Sequence, residues 1–256
     1  LIDFPNNELG EIAEKIIKIY RRLQHTRREQ DVLKRQLTQN IAHELKTPVA
    51  SIQGYLETII DNPDMDEATR RQFMERCYAQ SQRLATLLQD ISTLNQMDDG
   101  APLMEFSPVD IAQVMASIAK ATALQMADRQ MHMEVHLPDR LMARGNPSLI
   151  YSIFRNLTDN AIAYAGVGTT ISLTAEAEGS QWHFTFADNG VGVEPQHLGR
   201  LFERFYRVDK GRSRKMGGTG LGLAIVKNAV LLHGGAIRVS SREQGGLQFD
   251  FTLNKI

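Results

Sequence analysis

The sequence predicts an all-α helical hairpin that pairs with a second copy into a dimeric four-helix bundle, followed by an α+β two-layer sandwich. A long apolar heptad seam opens the chain, and a second apolar helix follows a helix-breaking segment. After residue 102 the pattern changes to strands and helices, which indicates a sheet covered on one face by helices. One hairpin buries only one face of each helix, so pairing with a second copy is the natural way to bury the rest.

The N-terminal seam has apolar residues at steps of three and four, with two polar residues in its middle. This heptad pattern is typical of a helix that pairs with its own copy as a coiled coil. A plain helix lying on a core is the alternative, but the charged flanks favour the coiled coil. The seam consists of Leu9, Ile12, Ile16, Ile19, Leu23, Thr26, Gln30, Leu33 and Leu37.

The hairpin follows from the same seam, which continues through Ile41, Leu45 and Ile52. The segment DNPDMDEA, residues 61–68, ends this helix and begins another, with Asp64 or Asp66 as the N-cap. The residues expected to be buried on the second helix are Phe73, Cys77, Leu84, Leu87, Leu88, Ile91 and Leu94.

Four segments are predicted: a signal helix at 1–37, the hairpin at 38–97, a linker at 98–105 and the α+β module at 106–256. The linker carries charged residues followed by Gly and Pro. In the last module, helical periodicity covers 108–127, 147–165 and 219–232, and strand patterns cover 169–178, 181–188, 236–241 and 247–253.

Bulk composition excludes some classes of function. The net charge of −1 gives no reason to expect a nucleic-acid surface. The one cysteine excludes an internal disulfide framework. The sequence has no apolar run of membrane-spanning length.

The segment IAHELKTPVASIQGY, residues 41–55, combines good helix periodicity with an interior proline. His43 lies about 200° around the helix from Ile41 and is expected to face water, with Glu44 beside it and Thr47 one turn on. Pro48 removes one helical hydrogen bond at a cost of ~3 kcal/mol and should bend the helix. An exposed imidazole next to a carboxylate is a nucleophile-plus-base arrangement, which favours a function over a plain surface histidine.

The second module carries a pattern suited to a nucleotide. Asn156 and Asn160 are four residues apart on one helical face, and their amide oxygens suit Mg²⁺. The strand QWHFTFAD ends in Asp188 on the same face as its aromatic residues, and a buried acid there needs a donor. The segment GGTGLG opens a helix, whose free N–H groups and dipole favour phosphates. A long basic loop between Val193 and Gly217 is expected to act as a mobile lid.

In this order, HELKTP, RNLTDNAIAYA, ADNGVG, LFERFYRVD and GGTGLGLAIV resemble the H, N, first glycine, F and second glycine boxes of bacterial two-component sensor histidine kinases. The resemblance implies a Bergerat-type (histidine kinase/gyrase-like) module that uses ATP and Mg²⁺. It implies that His43 is phosphorylated, that Glu44 is the general base and that Thr47 supports dephosphorylation of the partner. The implied nucleotide-binding residues are Asn156, Asn160, Tyr164, Asp188, Gly190, Gly192, Phe205, Arg207, Lys210, Arg212, Gly218, Thr219, Gly220, Leu221 and Gly222, with Asn160 and Asn156 as metal ligands.

The resemblance further implies a homodimer formed through the hairpin and transfer of the phosphoryl group to an aspartate of a response regulator. The opening DFPNNELGEIAEKI resembles the exit of a HAMP linker, so an inner-membrane sensor is expected upstream and this chain is expected to be the cytoplasmic portion. No nucleic-acid partner is expected. One departure is Ala163, where the family often has a basic residue before the tyrosine.

Two alternatives stay open. A gyrase-like ATPase would carry a glutamate four residues before the metal asparagine, but Asn156 stands there and supplies no base. A phosphatase-dominant or non-catalytic dimeric regulator would keep the same motifs.

Overall fold

The computed structural model describes residues 8–100, 104–209 and 218–256. The chain divides into two compact units, residues 1–73 and residues 74–256. The predicted HAMP exit lies partly outside the described residues, and no side chain of residues 8–14 is described. Within the described ranges, no helix combines the length and the apolar character needed to cross a bilayer.

The first unit is built on helix α1, Glu8–Asp61, which stays helical on both sides of Pro48. The chain turns at residues 62–66, and helix α2, Glu67–Gly100, begins. Of the two possible caps, the structure selects Asp66, whose Oδ1 accepts a hydrogen bond from the Thr69 N–H at 2.9 Å. The rings of Tyr55 and Phe73 stack with centroids 5.6 Å apart, so α2 turns back along α1 at this end.

The C-terminal part of α2 belongs to the second unit. The helix continues to Gly100, so residues 98–100 of the predicted linker are helical. Leu87, Leu94 and Met97 are buried, whereas 51% of Leu88 is exposed in the single chain, so its predicted burial depends on the proposed second copy. Adjacent residues lie about 100° apart on a helix, so Leu87 and Leu88 do not face the same side.

The remainder of the second unit contains a five-stranded sheet with strand order β2-β4-β5-β7-β6. Strand β2 runs parallel to β4, and the other pairs are antiparallel. A small antiparallel sheet of β1 and β3, which the sequence patterns did not predict, adjoins the large sheet through a bridge between Ala143 and Lys255. The strands are β1 Ser107–Asp110, β2 His132–His136, β3 Met142–Gly145, β4 Thr170–Glu178, β5 Gln181–Asp188, β6 Ile237–Ser241 and β7 Leu247–Asn254.

Helices pack an apolar stripe against the sheet. Phe154 contacts Phe184 and Phe251, with ring centroids 5.4 and 5.6 Å apart, and all three side chains are fully buried. This aromatic cluster confirms the predicted layer of helices on a sheet and places the helix that carries Phe154 against strands β5 and β7. The helices are α3 Ile111–Asp128, α4 Pro147–Tyr164, the short α5 Pro195–Leu198 and α6 Gly222–Leu232.

Local sequence explains where the helix that carries both asparagines begins. Asn146 adopts an extended backbone, and its side chain accepts a hydrogen bond from the Leu149 N–H at 3.1 Å. Pro147 stands at the first helical position, where its missing N–H is harmless. The start of α4 is therefore fixed, and Asn156 and Asn160 follow at set positions along it.

Candidate functional site

The first predicted site lies on α1 in the first unit. His43 is exposed, and Glu44 and Thr47 are half-buried. The Thr47 hydroxyl donates to the carbonyl oxygen of His43 at 3.2 Å, and the Ser51 hydroxyl donates to the carbonyl oxygen of Thr47 at 3.0 Å. The three predicted residues therefore share one stretch of helix around an imidazole that faces water.

The second site is a cavity of about 490 Å³ in the second unit. Most of the residues predicted to bind nucleotide line it. Gly190, Phe205 and Leu221 do not line it, and Lys210 and Arg212 lie outside the described residues. The predicted residues in its wall are Asn156, Asn160, Tyr164, Asp188, Gly192, Arg207, Gly218, Thr219, Gly220 and Gly222.

Asp188 brings a carboxylate to the wall of this cavity while only 5% of the residue is exposed. Burial raises the pKa of its carboxyl group, and hydrogen bonds from the backbone N–H groups of Gly190 and Leu247 and the charge of Arg242 oppose that rise. The Gly190 N–H lies 2.9 Å from Oδ1. Because the buried Asp188 carboxyl group faces the cavity, it favours a ligand that donates a hydrogen bond to it.

Two glycines allow close approaches around the cavity. A Cβ at Gly190 would lie 2.2 Å from the carbonyl oxygen of Ala165, so only glycine lets the end of β5 meet the end of α4. A Cβ at Gly222 would lie 2.6 Å from Oδ1 of Asn156, so only glycine lets the start of α6 meet α4. Gly190 therefore supports the cavity from behind its wall.

The two asparagines present oxygen ligands from α4. The amide nitrogen of Asn156 donates to the carbonyl oxygen of Ser152 at 2.8 Å, which turns its Oδ1 towards the start of α6. Asn160 lines the same cavity one turn later. Mg²⁺ takes few protein ligands and completes its shell with phosphate and water oxygens, so this donor set fits it.

Phe205 and Leu221 support the cavity instead of lining it. The Phe205 N–H donates to the carbonyl oxygen of Gly220 at 2.8 Å, and Phe205 itself has a φ of 64°. A positive φ is uncommon for a bulky residue and has to be held by its surroundings. Leu221 is fully buried under the start of α6.

Sequence reasoning missed several wall residues. Arg155 and Asp159 line the cavity from α4, and the Arg155 Nε lies 2.8 Å from Asp159 Oδ2. Their spacing of four marks an ion pair on one helix face, and with the asparagines it could have signalled the site. Thr86 and Asp90 line the cavity from α2, and no local pattern in α2 distinguishes them.

Comparisons with known proteins identify two domains in this chain. Residues 33–100 match the model of the His Kinase A (phospho-acceptor) domain. Residues 145–255 match the model of the histidine kinase-, DNA gyrase B- and HSP90-like ATPase. Together they take in both the His43 helix and the nucleotide cavity. The chain carries the two domains that make up the core of a sensor histidine kinase.

Two relatives with similar sequences are histidine kinases by name. It is 33% identical to the sensor-like histidine kinase SenX3 of Mycolicibacterium smegmatis, over 90% of this chain and 59% of that protein. It is 32% identical to the signal transduction histidine-protein kinase BaeS of Escherichia coli, over 96% of this chain and 51% of that protein. The chain thus spans between half and three fifths of the length of these relatives.

A solved structure has the same fold. The histidine kinase ThkA, in complex with response regulator protein TrrA, matches 91% of this chain and 65% of its own, with a TM-score of 0.71 and 19% identity. This likeness supports the expected order of a helical region followed by the sheet-based module.

Proposed function

We propose that this chain is the part of a sensor histidine kinase that phosphorylates itself on His43 with ATP and then passes the phosphoryl group to an aspartate of a response regulator. The observation that carries the proposal is one chain holding both an exposed histidine beside a carboxylate and a cavity with a buried acid and two amide ligands.

In the proposed reaction, a ring nitrogen of His43 attacks the γ-phosphorus of ATP. The bond between that phosphorus and the bridging oxygen breaks, ADP leaves, and Glu44 accepts the proton of the imidazole. Catalysis of such a transfer is mainly positioning and charge neutralisation. The cavity residues hold the nucleotide, and the transfer requires His43 to reach its terminal phosphate.

Within the cavity, Asp188 would accept a hydrogen bond from the adenine amino group, and Asn160 and Asn156 would hold Mg²⁺. The metal, when bound, neutralises charge on the phosphates. The start of α6, with Gly218, Thr219, Gly220 and Gly222, offers N–H groups to phosphate oxygens. Tyr164, Gly190, Gly192, Phe205, Arg207 and Leu221, together with Lys210 and Arg212 of the lid, complete the proposed nucleotide site.

Thr47 is assigned to the reverse activity, the dephosphorylation of the response regulator. Its hydroxyl is bonded to the carbonyl oxygen of His43, one turn back along α1, and can rotate from there towards a water next to the histidine. A phosphatase-dominant regulator would use this residue without needing autophosphorylation, and this is the competing function.

The proposed assembly is a homodimer through the hairpin at 38–97, preceded by the signal helix at 1–37 and followed by the linker at 98–105 and the catalytic module at 106–256. A response regulator receiver domain is the proposed partner, and ThkA, of the same fold, has been solved with one. An upstream HAMP module and membrane sensor would place this portion in the cytoplasm.

The test is incubation of the purified chain with γ-labelled ATP and Mg²⁺. We expect a label that is lost in acid and kept in alkali, that is absent from His43→Ala and that is retained in His132→Ala, whose histidine lies exposed on strand β2. Label on a response regulator should follow when a receiver domain is added. Failure of the wild-type chain to gain any acid-labile label would contradict the proposal.

A further inference from the structure

Helix α2 contributes to the nucleotide cavity, although the proposed reaction gives it no role there. Thr86 and Asp90 both stand in the cavity wall. Asp90 Oδ2 accepts a hydrogen bond from the Thr219 hydroxyl at 2.7 Å. Thr219 is one of the residues assigned above to phosphate binding, so a residue of α2 already occupies its hydrogen-bonding group.

The Thr219 hydroxyl links this carboxylate to the start of α6. Its oxygen accepts a hydrogen bond from the Leu221 N–H at 3.2 Å, and its single hydrogen goes to Asp90. A hydroxyl has one proton to donate, so it does not donate to a phosphate oxygen at the same time. The carboxylate thus takes the place that an anionic ligand would take near a helix N-terminus.

The surroundings of Asp90 disfavour the charged form of its carboxyl group. Burial raises the pKa of the Asp90 carboxyl, the Thr219 hydrogen bond opposes that rise, and the nearby charge of Asp159 adds to it. Asp159 is itself paired with Arg155 across 2.8 Å. Two carboxylates facing one cavity also repel a polyanion that enters it.

A second contact holds the same part of α2. One guanidinium nitrogen of Arg204 lies 2.9 Å from each carboxylate oxygen of Asp98. Asp98 comes eight residues after Asp90, a little over two helical turns further along α2 and about 80° around its axis. The helix is therefore fixed at two points, one inside the cavity and one beyond its wall.

We propose that the Asp90 carboxylate occupies the position at Thr219 that a phosphate oxygen of bound nucleotide would take. The Asp90–Thr219 hydrogen bond and bound nucleotide therefore exclude each other. The proposal rests on the proposed function, because it takes the cavity to be an ATP site. Linkage makes the competition reciprocal: nucleotide releases α2, and any signal that moves α2 away raises the affinity for nucleotide. The hairpin helix would thereby control access to ATP.

The test measures the dissociation constant of a non-hydrolysable ATP analogue with Mg²⁺ by calorimetry on the full chain. We expect Asp90→Ala to tighten binding by about tenfold. Asp90→Asn, which keeps the shape but loses the charge, should tighten it less. Asp98→Ala should tighten it slightly, because exposed ion pairs are weak. Gln89→Ala, an exposed neighbour on α2, should leave the constant unchanged.

A double-mutant cycle separates competition for the hydroxyl from simple charge repulsion. In a Thr219→Val background, where no hydroxyl is present, Asp90→Ala should tighten binding by clearly less than about tenfold, because only the relief of charge repulsion remains. An equal gain in affinity in that background, or no gain in affinity in either Asp90 variant, would contradict the proposed competition at Thr219. The proposed function would still stand. Absence of analogue binding in the wild type and in every variant overturns both.

Discussion

At the scale of single residues, burial decides what each polar group does. His233 and Asp188 are both buried, yet their surroundings differ. The His233 Nε2 accepts a hydrogen bond from the Asn146 N–H at 2.9 Å, and its Nδ1 lies 2.6 Å from the carbonyl oxygen of Ala229, so both ring nitrogens are satisfied in the neutral form. Asp188 instead faces a cavity. His233 is therefore structural, and Asp188 is the residue available to a ligand.

His233 should make stability depend on pH. Burial lowers the pKa of its imidazole below the ordinary value of about 6.5. The unfolded chain then binds a proton that the folded chain refuses, so stability is fully present above that value and is lost as the pH falls through the lowered pKa. Unfolding followed by the fluorescence of the single tryptophan, Trp182, should show this loss.

Substitution separates His233 from the other histidines. We expect His233→Leu to remove that acid-side loss and to lower the free energy of unfolding by about 2 kcal/mol, because the Asn146 N–H loses its acceptor. His132→Leu, at an exposed histidine of β2, should keep the pH dependence of the wild type. If both variants keep it, His233 is not its source.

Ala163 offers a second test at this scale. It lines the cavity one turn after Asp159, at the position where the resemblance described above implies a basic residue. Ala163→Lys should tighten the binding of an ATP analogue by roughly fivefold at low salt, because a cation is added beside the phosphates. The gain should shrink as salt is raised. Ala163→Gln, similar in length without the charge, serves as the control, and an equal gain there would contradict a charge effect.

At the scale of elements, helix caps set where the site residues fall. Asn146 caps α4, whose later turns carry Asn156 and Asn160, and Asp66 caps α2. The sequence predicted Asp64 or Asp66 as the cap of α2, and the structure selects Asp66, whereas the Asn146 cap of α4 was found only in the structure. The end of α2 was not readable, because the MDDG sequence resembles a linker but is helical to Gly100.

Removal of the α4 cap should destabilise the catalytic module. We expect Asn146→Ala to lower the free energy of unfolding by about 1 kcal/mol, because the Leu149 N–H loses its acceptor. Asn146→Asp should retain most of the stability, since aspartate caps equally well. Denaturant titration followed by Trp182, which lies in this module on β5, would measure both. Equal losses in the two variants would contradict the capping role.

At the scale of the whole molecule, α1 leaves apolar residues of its seam exposed in the single chain. Ile16, Ile19 and Leu23 are each more than half exposed. Burying one such side chain contributes about 1.5–3 kcal/mol, and a dimer buries it twice. The seam therefore supports the proposed homodimer, in which the same face of a second copy covers it.

A charge in this seam should oppose dimerisation. We expect Ile19→Glu to weaken the dimer by about a hundredfold or more, because two carboxylates would face each other in a desolvated seam. Sedimentation equilibrium over a range of protein concentrations would measure it. Lys18→Glu, one residue away on the exposed flank, should have a much smaller effect. If Ile19→Glu leaves the dimer intact, this seam is not part of the interface.

The sequence by itself determined the main helices and strands of the chain and ten of the residues in the cavity wall. The periodicity of apolar residues predicts which face of a helix or strand is buried. Glycines, asparagines and an acid at a strand end are visible in short stretches of sequence and indicated the nucleotide site. The alternation of side chains along β5 predicted that Asp188 lies on the apolar face, and the structure shows that it is buried.

Only the tertiary structure decided which distant segments meet. Asp90 and Thr219 are far apart in the sequence, yet they share a hydrogen bond inside the cavity. The small sheet of β1 and β3 and the exposure of Leu88 also depended on packing. A contact between remote residues is set by how whole elements pack against one another, and no pattern within α2 records which of its residues reaches α6.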